Sequence, residues 1–247
     1  SQLRREKRKG VWLNIPSSMA KFVPIAVELG FQYHHCKPTY VTLTLWLPDS
    51  HSGLPLQPHH QIGVGGFVLN DNNEVLVIQE KQGITAGLKD FWKLPGGLVD
   101  PDEGIASAVC REVLEETGLR VKFRALACIR ESHQRMFGGM TDLYCVCVCK
   151  LDNECYNGSQ NPVPVPQETE ISACQWMHID DFFKIKYYSR RSIFSDLLRH
   201  AYQTAANTTK YPPSIDQTHT HGLLYVQGPT PRVIGSPREG IFVSSKL

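Results

Sequence analysis

Residues 97–119 combine charged and apolar residues and read GLVDPDEGIASAVCREVLEETGL. Gly97 begins this segment, and Gly118 lies next to its end. Asp100 and Asp102 are of the residue type that caps helix N-termini, and Gly118 suits the left-handed stop of a helix. The apolar residues between them recur at helical spacing. The segment is therefore predicted to form a loop, a helix over 104–117 and a second loop.

Three glutamates of this helix are expected to share one arc of its surface. Glu112, Glu115 and Glu116 are spaced i, i+3 and i+4, so they repel one another near a helix C-terminus, where the dipole also disfavours anions. A carboxylate group without His or Cys suits Mg²⁺ or Mn²⁺, and such ions assist phosphoryl chemistry. We therefore expect a divalent metal site here, with Arg111 pairing with Glu103 or Glu115; the alternative is a Glu-rich surface helix.

The charge balance excludes a protein whose main function is to bind the phosphate backbone of nucleic acid. In 247 residues, 26 Lys and Arg oppose 24 Asp and Glu, for a net charge of +2. No apolar run is long enough to span a membrane, so no membrane partner is expected. The basic run at residues 4–9 is interpreted as a solvated helix face, with RNA binding or a nuclear address as the alternative.

Eight cysteines are present, and three of them alternate along one predicted strand. Cys145, Cys147 and Cys149 would share a face, and same-strand neighbours make poor disulfide partners. No C-x-x-C pair announces zinc. The cysteines are therefore predicted to be small buried hydrophobes in a reducing compartment, with redox or metal roles as the alternative.

Composition shifts divide the chain into three parts. A small mixed unit is predicted over 1–58, ending in a linker rich in Pro, Ser, Gly and His, and a larger unit over 59–206. The tail over 207–247 lacks periodicity and is expected to pack loosely. The elements predicted from periodicity are strands at 11–15, 31–35, 40–47, 63–69, 74–79, 120–133, 140–150 and 171–179, and helices at about 17–29 and 192–206.

The fixed positions of residues 97–119 resemble the signature of the Nudix hydrolase family. Gly97, Glu103, Arg111-Glu112, Val113, Glu115-Glu116 and Gly118-Leu119 match the Nudix box without a departure. The resemblance implies an α/β fold, an α/β/α sandwich around a mixed sheet. Residues 9–13, 26–31, 34–35 and 43–47 resemble a branch of the family with a small α+β pre-Nudix domain, which implies an interaction module or a homodimer.

The resemblance also implies roles for single residues. The metal ligands would be the Gly96 carbonyl, Glu112 and Glu116, with Glu115 joining when more than one ion binds. Gly97, Glu103, Arg111 and Gly118 would be structural. The general base would be a glutamate of the box, Glu115 or Glu116, or one outside it, with Glu170 as the first candidate and Glu168 and Glu131 as weaker ones; each of these three is otherwise a solvated surface carboxylate.

The implied activity is Mg²⁺- or Mn²⁺-dependent hydrolysis of the pyrophosphate in a nucleoside diphosphate derivative. ADP-ribose, NADH or a CoA-like compound would yield a nucleoside monophosphate and a phosphorylated second group. Trp92 would line the substrate site, and Arg130, Glu131 and His133 would contact phosphate and base beside the turn at 137–139. The alternatives are a regulatory protein that only senses a nucleotide, and an enzyme that removes the cap of RNA.

The chain ends in Ser245-Lys246-Leu247, the tripeptide read as a peroxisomal address. It predicts a peroxisomal location and binding to the import receptor, with the cytoplasm, nucleus or mitochondrion as alternatives.

Six histidines show no metal-ligand spacing tied to another motif, and they are expected to be structural or exposed. These are the histidines at 34, 35, 59, 60, 219 and 221.

Overall fold

A computed structural model describes residues 2–83, 86, 88, 90–133, 140–156, 161–189, 193–208 and 238–242. The chain divides into two compact units, Ser1–His59 and His60–Leu247. Within the described residues, each helix is too short or too polar to span a bilayer.

The N-terminal unit is a three-stranded antiparallel sheet with helical segments between its first two strands. The central strand β3 pairs with β1 on one side and β2 on the other, and Ile15, Ala26 and Leu43 form a small core. Its elements are α1 (Gln2–Arg5), β1 (Gly10–Pro16), a 3-10 helix (Ser17–Phe22), α2 (Val23–Glu28), β2 (Gln32–Lys37) and β3 (Tyr40–Trp46).

The helix predicted for this unit is in fact two short helices. A 3-10 helix ends at Phe22, and α2 begins at Val23. Pro24 lies in the first turn of α2, where its missing N–H costs nothing, whereas within a continuous helix it would remove a hydrogen bond. The apolar spacing alone therefore did not reveal the break.

The larger unit is built on a mixed sheet. Strand β4 runs parallel to β7, which is antiparallel to β6, and β6 pairs in turn with β9; β5 and β8 form a separate antiparallel pair. The elements are β4 (His60–Val68), β5 (Glu74–Glu80), α3 (Ile105–Thr117), β6 (Val121–His133), β7 (Thr141–Leu151), a 3-10 helix (Asn153–Cys155), β8 (Ile171–His178), α4 (Ile179–Lys184), α5 (Lys186–Ser189), α6 (Ile193–Thr208) and β9 (Arg238–Phe242).

Helices cover both faces of this sheet. Val109 and Val113 of α3 pack with the buried Cys145, Cys147 and Cys149 of β7, and the opposite face of the sheet packs against α6. The predicted α/β/α sandwich is confirmed. All eight cysteines carry free thiols, and four of them are buried as small apolar side chains, namely Cys128, Cys145, Cys147 and Cys149.

One expectation from the sequence is wrong. Neither Asp100 nor Asp102 caps α3: its N-cap is Gly104, which has no side-chain hydrogen bond, and Glu103 turns back to accept from the Asp100 N–H. Within the tail, β9 pairs with Ile129–His133 of β6, and the loose packing expected for the rest of the tail stays a prediction. The turn at 137–139, the histidines at 219 and 221 and the tripeptide Ser245-Lys246-Leu247 lie outside the described residues, so the peroxisomal address stays a prediction.

Candidate active site

The loop before α3 contains Gly96 and Gly97 and is called the glycine loop. It is held between strands β4 and β5. Its Pro95 carbonyl accepts from the N–H of Gly66 at 2.8 Å, and its Lys93 exchanges two hydrogen bonds with Ile78. Gly96 has a φ of +153°, and a Cβ there would lie 2.0 Å from the Val64 carbonyl oxygen. Only glycine fits this close approach of two backbones. The loop is therefore a rigid edge of the sheet rather than a free connection.

Helix α3 lies against this loop because one side of it is apolar. Ala108, Val109 and Val113 are fully buried, and the helix ends at Gly118, whose φ is +69°. The Gly118 N–H donates to the Leu114 carbonyl at 2.8 Å, which is the usual left-handed cap. The apolar side thus determines which glutamates turn towards the loop.

Arg111 joins the loop to the helix, as the sequence predicted. It donates from Nε and Nη2 to both carboxylate oxygens of Glu103, at 2.9 and 2.8 Å, and from Nη2 to the Leu98 carbonyl at 3.1 Å. Such two-point pairing fixes orientation as well as distance. The guanidinium lowers the pKa of Glu103 to about 2.

Glu116 is the most deeply buried carboxylate of the site. Only 7% of the residue is exposed, and the Gly96 N–H donates to its Oε2 at 2.6 Å. Burial raises the pKa of Glu116 to about 7, although the positive charge of Lys93 opposes the shift. An ionised carboxylate at this position is short of compensating positive charge.

Glu112 approaches the same loop one helical turn earlier. A Cβ on Gly97 would lie only 2.6 Å from Glu112 Oε1, so glycine leaves the space that this carboxylate occupies. Burial raises the pKa of Glu112, and Arg111 donates to its Oε1 from Nη1 at 2.8 Å. The same Nη1 donates at 3.1 Å to Glu115, whose side chain is half-exposed. Glu112 and Glu116 therefore face the loop, and Glu115 lies towards solvent.

Glu116 also lines a cavity of about 300 Å³. Glu170, the first candidate base outside the box, lines the same cavity, and its backbone carbonyl accepts from the Lys81 N–H at 2.8 Å. Glu168 has its carbonyl bound by Lys81 Nζ and does not belong to the lining. The lining residues are Glu80, Gln82, Gly83, Glu116, Thr169, Glu170 and Ile171.

Two residues that the sequence analysis did not single out add charge near this cavity. Lys93 forms an ion pair with Glu80, and Lys93 is also the nearby cation that acts on Glu116. Glu80 ends strand β5, so its place beside Glu170 follows from the pairing of β5 with β8. No sequence signal gave that pairing, because the two strands are about ninety residues apart.

Arg130 belongs to a second polar group on the sheet. Its Nη2 donates to Asp142 Oδ2 at 3.1 Å, and Gln61 donates to the other oxygen of Asp142 at 3.1 Å. The guanidinium carbon lies 5.4 Å from the ring centre of Tyr144 and 5.5 Å from that of Phe194. Its Nε is buried without a hydrogen-bond partner among the described residues. Arg130 is therefore oriented from several sides while one donor stays unused.

This second group borders the glycine loop. A Cβ on Gly63 would lie 3.5 Å from the Tyr144 ring, 3.6 Å from the Gly97 carbonyl oxygen and 3.9 Å from Asp142 Oδ1. A Cβ on Gly65 would collide with the Tyr144 hydroxyl. Glycines of β4 thus let the loop and Tyr144 approach each other across the strand.

The other predicted substrate residues are spread more widely. The Glu131 carboxylate lies 3.8 Å from His133 Nε2 and 3.9 Å from His60 Nε2, and His133 Nδ1 is 2.9 Å from Thr141 Oγ1. Trp92 packs against the core beneath α6, and its carbonyl accepts from the Tyr188 hydroxyl at 2.8 Å. None of these three predicted residues lines the cavity that contains Glu116 and Glu170.

The groups that face the loop before α3 suit a hard cation. The possible metal ligands there are the Glu112 and Glu116 carboxylates and backbone carbonyl oxygens, the kind of ligand that Mg²⁺ prefers. Among the described residues, no three His, Cys, Asp or Glu side chains gather closely enough to hold an ion by themselves. Glu112 and Glu116 offer two carboxylates at one loop, and Mg²⁺ usually keeps several water ligands. The residues present therefore fit such an ion with water or phosphate oxygens completing its coordination.

Comparison with known families assigns this architecture to a class. The NUDIX domain matches residues 59–198, and the Nudix hydrolase domain matches residues 1–47. The first match alone covers more than half of the chain. The chain belongs to the Nudix hydrolase family, as the box predicted.

Its relatives include plant and animal members. Nudix hydrolase 8 of Arabidopsis thaliana is 39% identical over 183 residues, which cover 74% of this chain and 47% of that protein. Nucleoside diphosphate-linked moiety X motif 6 of Homo sapiens is 38% identical over 185 residues, which cover 74% of this chain and 55% of that protein. The chain thus spans about half the length of these relatives.

Solved Nudix structures also match. The NUDIX hydrolase from Nitrosomonas europaea gives a TM-score of 0.45 at 17% identity, over 74% of this chain and 90% of that one. The MutT NUDIX hydrolase from Burkholderia pseudomallei gives 0.38 at 27% identity, over 50% of this chain and 85% of that one. The family assignment rests on the family match and the curated relatives.

Proposed function

We propose that this chain hydrolyses the pyrophosphate bond of nucleoside diphosphate derivatives with the help of Mg²⁺ or Mn²⁺. One observation carries the proposal: Glu116 is buried against the Gly96 N–H beside Glu112, and both carboxylates have raised pKa values. Added positive charge favours the ionised form of both carboxylates. A divalent cation that binds phosphate oxygens supplies that charge.

Glu112 and Glu116 would hold the ion together with the Gly96 carbonyl, and Glu115 would join for a second ion. When bound, the metal neutralises phosphate charge and lowers the pKa of a coordinated water. Arg111 keeps Glu112 and Glu115 in place by pairing with both, and through Glu103 it ties them to the loop. The chain's own part is thus to present carboxylates at a fixed distance from the substrate.

Glu170 is the proposed base that takes a proton from the attacking water. It lines the cavity that also contains Glu116, so both residues border the space in which the attacking water would bind. Box glutamates are the alternative base. The proton leaves the water as its oxygen attacks phosphorus, and the anhydride oxygen departs with the other phosphate.

Arg130 is the strongest candidate for contact with the nucleotide. Its position against the rings of Tyr144 and Phe194 suits a planar base, and its positive charge suits a phosphate. Trp92, Glu131 and His133 are proposed as further contacts. ADP-ribose, NADH and CoA-like compounds remain the substrate classes of choice, and the N-terminal unit is proposed as an interaction or homodimerisation module.

The test is a substrate panel under metal control. ADP-ribose, NADH, CoA and capped RNA are incubated with Mg²⁺ or Mn²⁺, and release of a nucleoside monophosphate, or of adenosine 3′,5′-bisphosphate from CoA, is measured by chromatography. We expect turnover of at least one diphosphate derivative, its loss in Glu116→Gln, and its retention in Glu154→Gln, where an exposed glutamate outside the box changes.

Other outcomes would redirect the assignment. Tight nucleotide binding without product across the panel would indicate a nucleotide-sensing regulator. Release from capped RNA alone would indicate a cap hydrolase. Full activity of Glu115→Gln and Glu116→Gln at saturating Mg²⁺ would contradict the proposed chemistry.

A further inference from the structure

The N-terminal unit contains two adjacent histidines whose rings meet. His34 Nδ1 and His35 Nδ1 are 2.7 Å apart, and both side chains are partly buried. Neighbouring residues of a regular strand point to opposite faces. Here the register of β2 against β3 shifts between Tyr33 and His35, and this bulge brings both rings to one side.

The outer nitrogen of His34 is committed as a hydrogen-bond donor. His34 Nε2 lies 3.1 Å from the Pro55 carbonyl oxygen, which can only accept. The ring must therefore carry a hydrogen on Nε2. In the neutral ring, Nδ1 is then a bare lone pair.

The same reasoning applies to His35 through a short chain of hydrogen bonds. Thr42 gives its single hydroxyl hydrogen to Asn14 Oδ1 at 2.7 Å. Thr42 Oγ1 lies 3.3 Å from His35 Nε2, so it can only accept there, and His35 must donate. Thr42 is 2% exposed, which keeps water from replacing these partners. His35 Nδ1 is therefore also a lone pair.

Two lone pairs on nitrogens only 2.7 Å apart repel unless a cation lies between or beside them. Histidines that bind metals usually donate their other ring N–H to a carbonyl or another oxygen, which sets the tautomer. Both rings show that pattern. We propose that His34 and His35 bind one divalent transition-metal ion such as Zn²⁺ through their Nδ1 atoms.

The distance between the two Nδ1 atoms needs to increase only slightly to hold such an ion. With Zn–N bonds of about 2.0–2.1 Å and an angle of about 90–109°, the two nitrogens would lie about 2.9–3.4 Å apart. Among the described residues no third His, Cys, Asp or Glu completes a cluster, so water or an added ligand fills the remaining positions. Imidazole nitrogens favour Zn²⁺, Ni²⁺ or Cu²⁺ over Mg²⁺, so this site is chemically distinct from the proposed carboxylate site.

The experiment is a Zn²⁺ titration of the full, ¹⁵N-labelled chain, observed at its histidine ring nitrogens by NMR. Excess Mg²⁺ occupies carboxylate sites throughout. Before titration, two histidines should show the Nε2–H tautomer. Added Zn²⁺ should shift the Nδ1 signals of the same two rings together, with an end point of one ion per chain.

Variants assign the signals. His34→Gln and His35→Gln should each weaken Zn²⁺ binding at least about tenfold. His51→Gln, which changes an exposed histidine of the same unit, should leave the titration unchanged, as should Cys36→Ser, which removes the exposed thiol next to His35. The indole of Trp12, whose ring centre is 4.7 Å from that of His34, provides a fluorescence check that the unit is folded.

Several results would overturn the proposal. If both Nδ1 signals respond to acid but not to Zn²⁺, the pair binds only a shared proton. Zn²⁺ shifts confined to other histidines, or loss of binding in Cys36→Ser, would place the ion elsewhere. These readings come from the wild-type chain and a cysteine variant, so they hold even if a histidine variant fails to fold.

Discussion

Glu116 is a buried carboxylate that the structure compensates only in part. Its carboxylate is 7% exposed and receives a single backbone hydrogen bond. The resemblance to the Nudix box implied that it is a metal ligand, and periodicity put it beside Glu115 on the same arc. Their different surroundings come from the loop: the Gly96 N–H donates to Glu116, whereas Glu115 is half-exposed and accepts from Arg111.

The difference in unfolding free energy between Glu116→Gln and the wild type should depend on pH. The folded pKa is about 7 against 4.5 when unfolded, so the unfolded chain ionises first as pH rises through this window. The wild type therefore loses stability from pH 4.5 to about 7 and keeps the full penalty above. In EDTA, Glu116→Gln should match the wild type near about pH 4 and exceed it by about 3 kcal/mol near about pH 8.

Urea unfolding across this pH range measures the difference. Glu154→Gln, which changes an exposed carboxylate, serves as the control and should track the wild type. A stability gap that stays constant with pH would show that Glu116 is already compensated in the metal-free protein.

Among the secondary structure elements, the junction of the glycine loop with α3 depends on Arg111. The sequence predicted a pair with Glu103 or Glu115. The structure adds Glu112 and the Leu98 carbonyl, so one guanidinium reaches three carboxylates and the loop backbone. Spacing along a helix cannot show this, because Glu103 and Leu98 lie in the preceding loop.

Arg111→Lys should therefore loosen the loop while the charge is kept. A lysine has no planar fork to bind both Glu103 oxygens, and it cannot reach all five acceptor oxygens at once. We expect amide hydrogen exchange over residues 97–104 to accelerate at least about fivefold, with the centre of α3 unchanged. Lys122→Arg, a swap within a surface pair with Asp152, is the control. Unchanged exchange in the loop would mean that backbone pairing with β4 alone holds it.

At the scale of the whole molecule, the site depends on strands far apart in sequence. Glu80 and Glu170 share a cavity because β5 pairs with β8, and Arg130 reaches Asp142 because β6 pairs with β7. The tail joins the same framework through β9. The sequence did not predict this strand, because a five-residue strand without a periodic neighbourhood gives no readable signal.

Removing β9 should expose the edge of β6. In a chain shortened after Thr208, the amides of Ile129–His133 that bond to β9 lose their partners, whereas a chain shortened after Phe242 keeps them. We expect exchange at those amides to rise at least about tenfold in the first and stay unchanged in the second. Equal protection in both chains would show that β9 contributes nothing to the edge.

The order of glycines, carboxylates and apolar residues was enough to predict the α3 helix and its Gly118 end, and the resemblance to the Nudix box predicted the family and, through it, the α/β/α layers. The helix and its end are local features, because each depends on residues within about four positions. The tertiary structure alone decided that Glu116 is buried while Glu115 is exposed, that Glu170 meets Glu116 in a cavity, and that His34 and His35 face each other. Those outcomes depend on strand register and a bulge, and register is a long-range property because a shift of one residue turns every side chain to the other face.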